Sequence, residues 1–164
     1  MLSRLETRLF IVAICAFLLA GLVYYLDRPS ESIYFIPDWL PVNERQYHLF
    51  GSTGNYLPVF LHAFVFILFT CACLLPSRKQ LILVCAAWFT IDLLFEIAQS
   101  APAASWSTSK LTDHRDEIPL LENIPNYFLT GVFDIQDICA IAAGTIAAYL
   151  TVLVAKNKYS GEPT

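Results

Sequence analysis

Four long apolar runs, divided by polar stretches, set the architecture of the 164-residue chain. The first, from Leu9 to Leu26, holds no charged residue. As a helix rising 1.5 Å per residue it covers roughly 27 Å, close to the hydrocarbon thickness of a bilayer. The second runs from Leu57 to Leu75, with Pro58 in its first turn, where a missing N–H is tolerated, and Pro76 ending it. Ser77 and Gln80 have capping-box spacing for a third run, Gln80 to Ala98. The fourth extends from Tyr127 to Ala155 and becomes strongly apolar only at Ile138. The pattern predicts an all-α integral membrane protein, one domain over residues 1–164, folded as a four-helix bundle.

Composition agrees with this reading. Hydrophobic residues make up 57% and charged residues 15%, and the mean hydropathy is +0.57, whereas a water-soluble domain carries roughly 25% charged residues. The net charge of −4, with no basic stripe interleaved with aromatics, excludes nucleic acid as the expected partner. Arg4 and Arg8 precede the first run, as in a signal peptide. No small-x-small cleavage site follows before Asp27, so this run is expected to remain as a span.

Loop charges predict the orientation. The N-terminal segment, the Pro76–Lys79 turn and the C-terminal segment together hold six basic and two acidic residues. The two long loops hold four basic and eight acidic residues. Positive residues close to span ends favour the cytoplasmic side, so both termini are expected inside and both long loops outside. The first loop, Asp27 to Tyr56, contains Tyr34, Phe35, Trp39 and Phe50 and is expected to lie at the headgroup level. The second, Ser100 to Asn126, reads as an irregular cap.

Four acidic residues lie within the spans: Asp92, Glu96, Asp134 and Asp137. An acidic group there costs about 2.5–3.5 kcal/mol on insertion scales, so such residues face a bundle interior and mark a function. Asp92, Glu96 and Gln99 are spaced i, i+4, i+7 and share one helix face; Asp134 and Asp137, at i and i+3, share another. The latter face continues into Ala140, Gly144 and Ala148, a small-x-x-x-small seam that lets helix backbones approach closely. With His62 six residues into the second span, five ionisable groups on three helices are expected at one level near the outer leaflet. Helix capping is the plainer explanation for Asp134 and Asp137, and interfacial water for Glu96 and Gln99.

Acids this close need compensation. A retained proton, a basic residue folding in (Arg115, Lys110 or Arg45), or a divalent cation such as Mg²⁺, Mn²⁺ or Zn²⁺ would each serve. No metal-binding spacing such as HExxH occurs, and no cofactor motif is found. All five cysteines fall in apolar stretches, which points to packed small hydrophobes rather than a disulfide framework.

The stretch Glu96-Ile97-Ala98-Gln99, followed by Phe133-Asp134-Ile135-Gln136-Asp137-Ile138-Cys139-Ala140 and Gly144, resembles the VanZ-like family. That family shows E-x-x-Q at the end of one span, then a basic residue, then F/S-x-x-x-D-[IL]-x-A-N-x-x-G opening the next. His62, in Leu61-His62-Ala63-Phe64-Val65-Phe66, is similar to the family's histidine early in the preceding span. The resemblance covers residues 58–150. Ile141 stands where the family has asparagine, and no arginine directly precedes Phe133; Arg115, in the longer loop, is the candidate substitute. The resemblance implies a bacterial cytoplasmic-membrane protein of the cell envelope, whose namesake is associated with teicoplanin resistance. The family supplies no defined reaction.

Three function classes follow. In the first, a carboxylate and histidine site open to the outer leaflet binds or acts on a lipid-linked or cell-wall substrate. Asp92, Glu96, Asp137 and His62 are then the candidate catalytic residues, Glu96 as proton donor and Asp137 or His62 as base or ligand. Gln99, Asp134 and Arg115 are the candidate substrate-binding residues. In the second, the protein is an accessory subunit of a larger membrane complex, its carboxylates bonding between helices or to a partner. In the third it is an ion-coupled carrier, a role poorly matched by four spans without an inverted repeat.

Overall fold

The computed structural model describes residues 4–27, 49–100 and 132–159. These form four helices: α1 (Arg4–Asp27), α2 (Thr53–Leu74), α3 (Arg78–Ala98) and α4 (Ile135–Tyr159). No strand occurs among the described residues. All four helices are long and apolar enough to cross a membrane, as in a multi-pass membrane protein.

Helix ends depart from the apolar runs for local reasons. Arg4, Glu6 and Arg8 are good helix formers, so α1 starts at Arg4 rather than Leu9 and ends at Asp27 rather than Leu26. α2 starts a turn earlier than Leu57, after a turn in which Gly51 takes a left-handed backbone (φ 53°) and Phe50 C=O accepts from Thr53 N–H. Pro58 therefore lies inside α2 rather than in its first turn. Its missing N–H leaves the Gly54 carbonyl without its helical donor.

The expected capping box is formed at α3. Gln80 N–H donates to Ser77 Oγ and Ser77 N–H donates to Gln80 Oε1 at 2.8 Å, so the helix begins at Arg78. α4 begins at Ile135, and Val132–Asp134 are not helical. Asp134 caps it, its Oδ1 accepting from Gln136 N–H at 2.8 Å. The start expected at Tyr127 is thus corrected for residues 132–134, and residues 127–131 lie outside the described set.

Three contacts fix how the helices run. Asp27, at the end of α1, accepts hydrogen bonds from Leu49 and Phe50 N–H, just ahead of α2. Glu96, near the end of α3, accepts from Asp134 N–H, just ahead of α4. At the opposite end, Lys156 Nζ donates to the Pro76 carbonyl in the α2–α3 turn. Neighbouring helices in sequence are therefore antiparallel, and α2 and α4 run parallel to each other. One end of the bundle gathers Asp27, Glu96 and Asp134; the other holds the Pro76 turn and Lys156.

α2 is the hub, packing against α1, α4 and α3. Its buried residues form two stripes, Leu61-Val65-Leu68-Ala72 and Ala63-Ile67-Cys71. A third stripe, His62-Phe66-Phe69, reaches both outer neighbours: Phe66 stacks near Trp88 of α3 (4.8 Å), and Phe69 meets Phe10 of α1 edge-on (5.3 Å). α1 and α3 are not among the closely packed pairs. The short diagonal of the bundle is α2–α4, where Gly144 lies against the Phe60 backbone so tightly that a Cβ would collide with the Phe60 carbonyl. Ala148, one turn further along, is fully buried. Gly144 and Ala148 of the small-residue seam thus face the bundle interior, and Ala140 is half-buried at its edge.

Candidate functional site

The inward face of α3 changes character along its length. Leu81, Cys85, Trp88, Asp92 and Glu96 follow one another at spacings of three and four, a single stripe. Its first half is apolar core, and its second half is polar. Each polar member of the stripe finds a partner on another helix or just ahead of one. Trp88 Nε1 donates to Thr70 Oγ1 at 2.9 Å, and Thr70 Oγ1 in turn donates to the Phe66 carbonyl. Asp92 Oδ1 lies 3.1 Å from His62 Nδ1. Glu96 Oε1 accepts from the backbone N–H of Asp134 at 2.7 Å.

These contacts divide the expected cluster. Asp92 and Glu96 are both buried, at 7% and 4% exposure, but they do different things. Glu96 satisfies a backbone donor just ahead of α4, a helix start that would otherwise hold unbonded N–H groups. Asp134 spends one side-chain oxygen on the cap of the same helix. Asp137 sits half-buried in the first turn of α4, and Gln99 is the C-cap of α3. Arg115, Lys110 and Arg45, the basic residues expected to fold in, lie outside the described residues.

Asp27 is the acidic residue that sequence reasoning misplaced. Assigned to the start of the first long loop, it is instead the last residue of α1 and buried at 7% exposure, with both carboxylate oxygens accepting backbone N–H bonds at 2.9 and 3.0 Å. Gly54 presses against it, leaving no room for a Cβ beside Asp27 Oδ2. Asp27 and Glu96 are thus equivalent clamps. Each comes from the end of one helix and anchors the chain where it re-enters the bundle after a long connection. Only the position of Asp27 directly behind an apolar run hints at this.

The His62–Asp92 pair is a further polar contact between helices. The imidazole ring rests on Phe66 (centroids 4.5 Å apart), and Phe66 rests on Trp88. His62 is half-exposed (51%) while its partner is buried. Asp92 Oδ2, also buried, has no hydrogen-bond partner among the described residues. No group of three or more His, Cys, Asp or Glu side chains among the described residues is arranged to hold a metal ion. A shallow apolar depression of about 250 Å³ lies between α2 and α4, lined by Thr53, Tyr56, Leu57, Phe60 and Ala140. It occupies the face of α2 opposite His62, by the 3.6-residue helical repeat, and contributes nothing to the pair.

No family model, curated protein or solved structure matches this chain.

Proposed function

We propose that the protein is a VanZ-like component of the bacterial cell envelope whose His62–Asp92 pair engages a lipid-linked or cell-wall substrate. The observation that carries this reading is the pairing of a half-exposed imidazole with a buried carboxylate. A His–carboxylate contact fixes the imidazole tautomer and orientation, as in general bases and ligand-binding histidines. Polar groups within membrane spans are costly and mark functional paths. In this reading His62 is the base or ligand and Asp92 its positioning residue. Glu96 and Asp134 support the backbone.

The charge bias of the loops supports placing both termini in the cytoplasm and the Asp27–Glu96–Asp134 end at the outer leaflet. The resemblance of residues 58–150 to the VanZ-like family supports the envelope assignment. Expression in a teicoplanin-susceptible bacterial host tests the reading. The wild-type chain is expected to raise the inhibitory concentration of teicoplanin, and Asp92→Asn or His62→Phe, at equal membrane abundance, to abolish that rise. Resistance unchanged in both variants, or absent with the wild type, contradicts it.

A second reading, an accessory subunit of a larger membrane complex, draws on a specific observation. Glu96 and Asp27 are both occupied with backbone N–H groups, which is a structural rather than a chemical use of intramembrane acids. A stoichiometric companion retained through purification in mild detergent would favour it.

A further inference from the structure

We infer that His62 receives its ligand sideways from the lipid leaflet, and that the ligand is a lipid whose headgroup donates hydrogen bonds: a primary ammonium or sugar hydroxyls. The inference rests on the reading of the His62–Asp92 pair given above and narrows its substrate class.

The direction of approach follows from packing. His62 belongs to the stripe His62-Phe66-Phe69, whose lower members touch α3 and α1 respectively. His62 therefore stands on the flank of α2 between those two helices. They are not closely packed against each other, and the imidazole is half-exposed there. Nine residues into α2, it lies about 13 Å below the helix start. In a bilayer that flank and depth meet lipid rather than bulk water.

The chemistry of the ligand follows from hydrogen-bond inventory. An imidazole that donates Nδ1–H to Asp92 Oδ1 retains Nε2 as an acceptor. Asp92 Oδ2 also lacks a donor among the described residues but is fully buried, so the acceptor open to the leaflet is Nε2 of the half-exposed imidazole. A polar atom left unmatched in an apolar medium is costly, so the site calls for a donor. An acceptor-only headgroup such as phosphocholine, which has no N–H or O–H, satisfies none of this.

Native mass spectrometry of the detergent-purified full chain, titrated with single lipids, tests the inference. The probes are phosphatidylethanolamine, a diglucosyl diacylglycerol and phosphatidylcholine of matched acyl chains. The wild type is expected to retain one or both of the first two over phosphatidylcholine by about tenfold, the scale of a well-made hydrogen bond. The arm that is retained identifies the donor as ammonium or hydroxyl. His62→Phe keeps a ring on Phe66 but no nitrogen and is expected to erase the preference with the melting temperature little changed. Asp92→Asn, which removes the charge behind the imidazole, is expected to weaken it.

Equal retention of all three lipids by the wild type overturns the inference, as does a preference that survives both substitutions. A co-purifying protein lost on His62→Phe also overturns it, because the occupant is then a partner helix. Failure here with teicoplanin resistance still dependent on His62 leaves the broader functional reading intact. The preference without any resistance phenotype leaves this inference standing and removes that reading.

Discussion

At the residue scale, one rule accounts for most of the intramembrane polar groups: each buried carboxylate is assigned to a donor. Glu96 serves Asp134 N–H, Asp27 serves Leu49 and Phe50 N–H, and Asp92 serves His62. The first two are backbone donors at chain re-entry points, so their loss should register as instability rather than as lost chemistry. Glu96→Gln retains an acceptor oxygen and is expected to change the melting temperature little. Glu96→Ala strands the Asp134 N–H in a partly buried position and is expected to cost about 1 kcal/mol. Thermal unfolding of the two variants in the same detergent checks the contrast, and equal melting temperatures would refute the clamp. Sequence alone displayed the acids of α3 on one face but not their partners. A backbone N–H looks the same at every position, so nothing in the letters Leu49, Phe50 or Asp134 announces a donor. Asp27 was misread for the same reason: an acid directly behind an apolar run resembles a loop residue until its two donors, more than 20 residues away in sequence, are located.

At the element scale, α2 and α4 approach closely because Gly144 offers no side chain where the Phe60 carbonyl passes. Gly144→Ala must push the helices apart, because the obstructing atom belongs to the backbone and cannot rotate away. A loss of about 1–3 kcal/mol is expected, the scale of overpacking a tight contact. Gly21 of α1 is the internal control: no heavy atom lies near the position of its Cβ, so Gly21→Ala should leave stability unchanged or raise it, as alanine favours helix over glycine. Parallel melting curves that fail to separate the two alanine variants would contradict the close approach. The small-residue seam was legible from spacing, as was the Ser77–Gln80 capping box, because both depend on local periodicity. The ends of α2 and α4 were less legible. Hydropathy marks where a chain is apolar, whereas the helix starts are set by a left-handed Gly51 and by the Asp134 cap.

At the scale of the whole molecule, the four helices of the described residues form a polarised bundle with one acidic end and one basic end. The basic end is closed by the short Pro76 turn and Lys156; the acidic end receives both long connections. The proposed orientation makes a direct prediction. Reporter fusions at the N- and C-termini should fluoresce as green fluorescent protein and be inactive as alkaline phosphatase, with the reverse for an insertion in the connection between α3 and α4. Opposite signals would invert the orientation and move the His62–Asp92 level to the inner leaflet. The all-α class of the described residues and their four helices of span length were readable from four apolar runs because bilayer thickness fixes their length. The division of the acids into two backbone clamps and one partner of an imidazole was not readable, since it depends on which helix faces which.

The proposed site stands on the contact between His62 of α2 and Asp92 of α3. A double-mutant cycle measures it most directly, using reversible unfolding in detergent of the wild type, His62→Phe, Asp92→Asn and the double variant. A coupling energy of about 1 kcal/mol is expected, as for residues in contact. Single-variant effects that add to within about 0.3 kcal/mol would show that the two side chains do not meet, and the proposed site would fall.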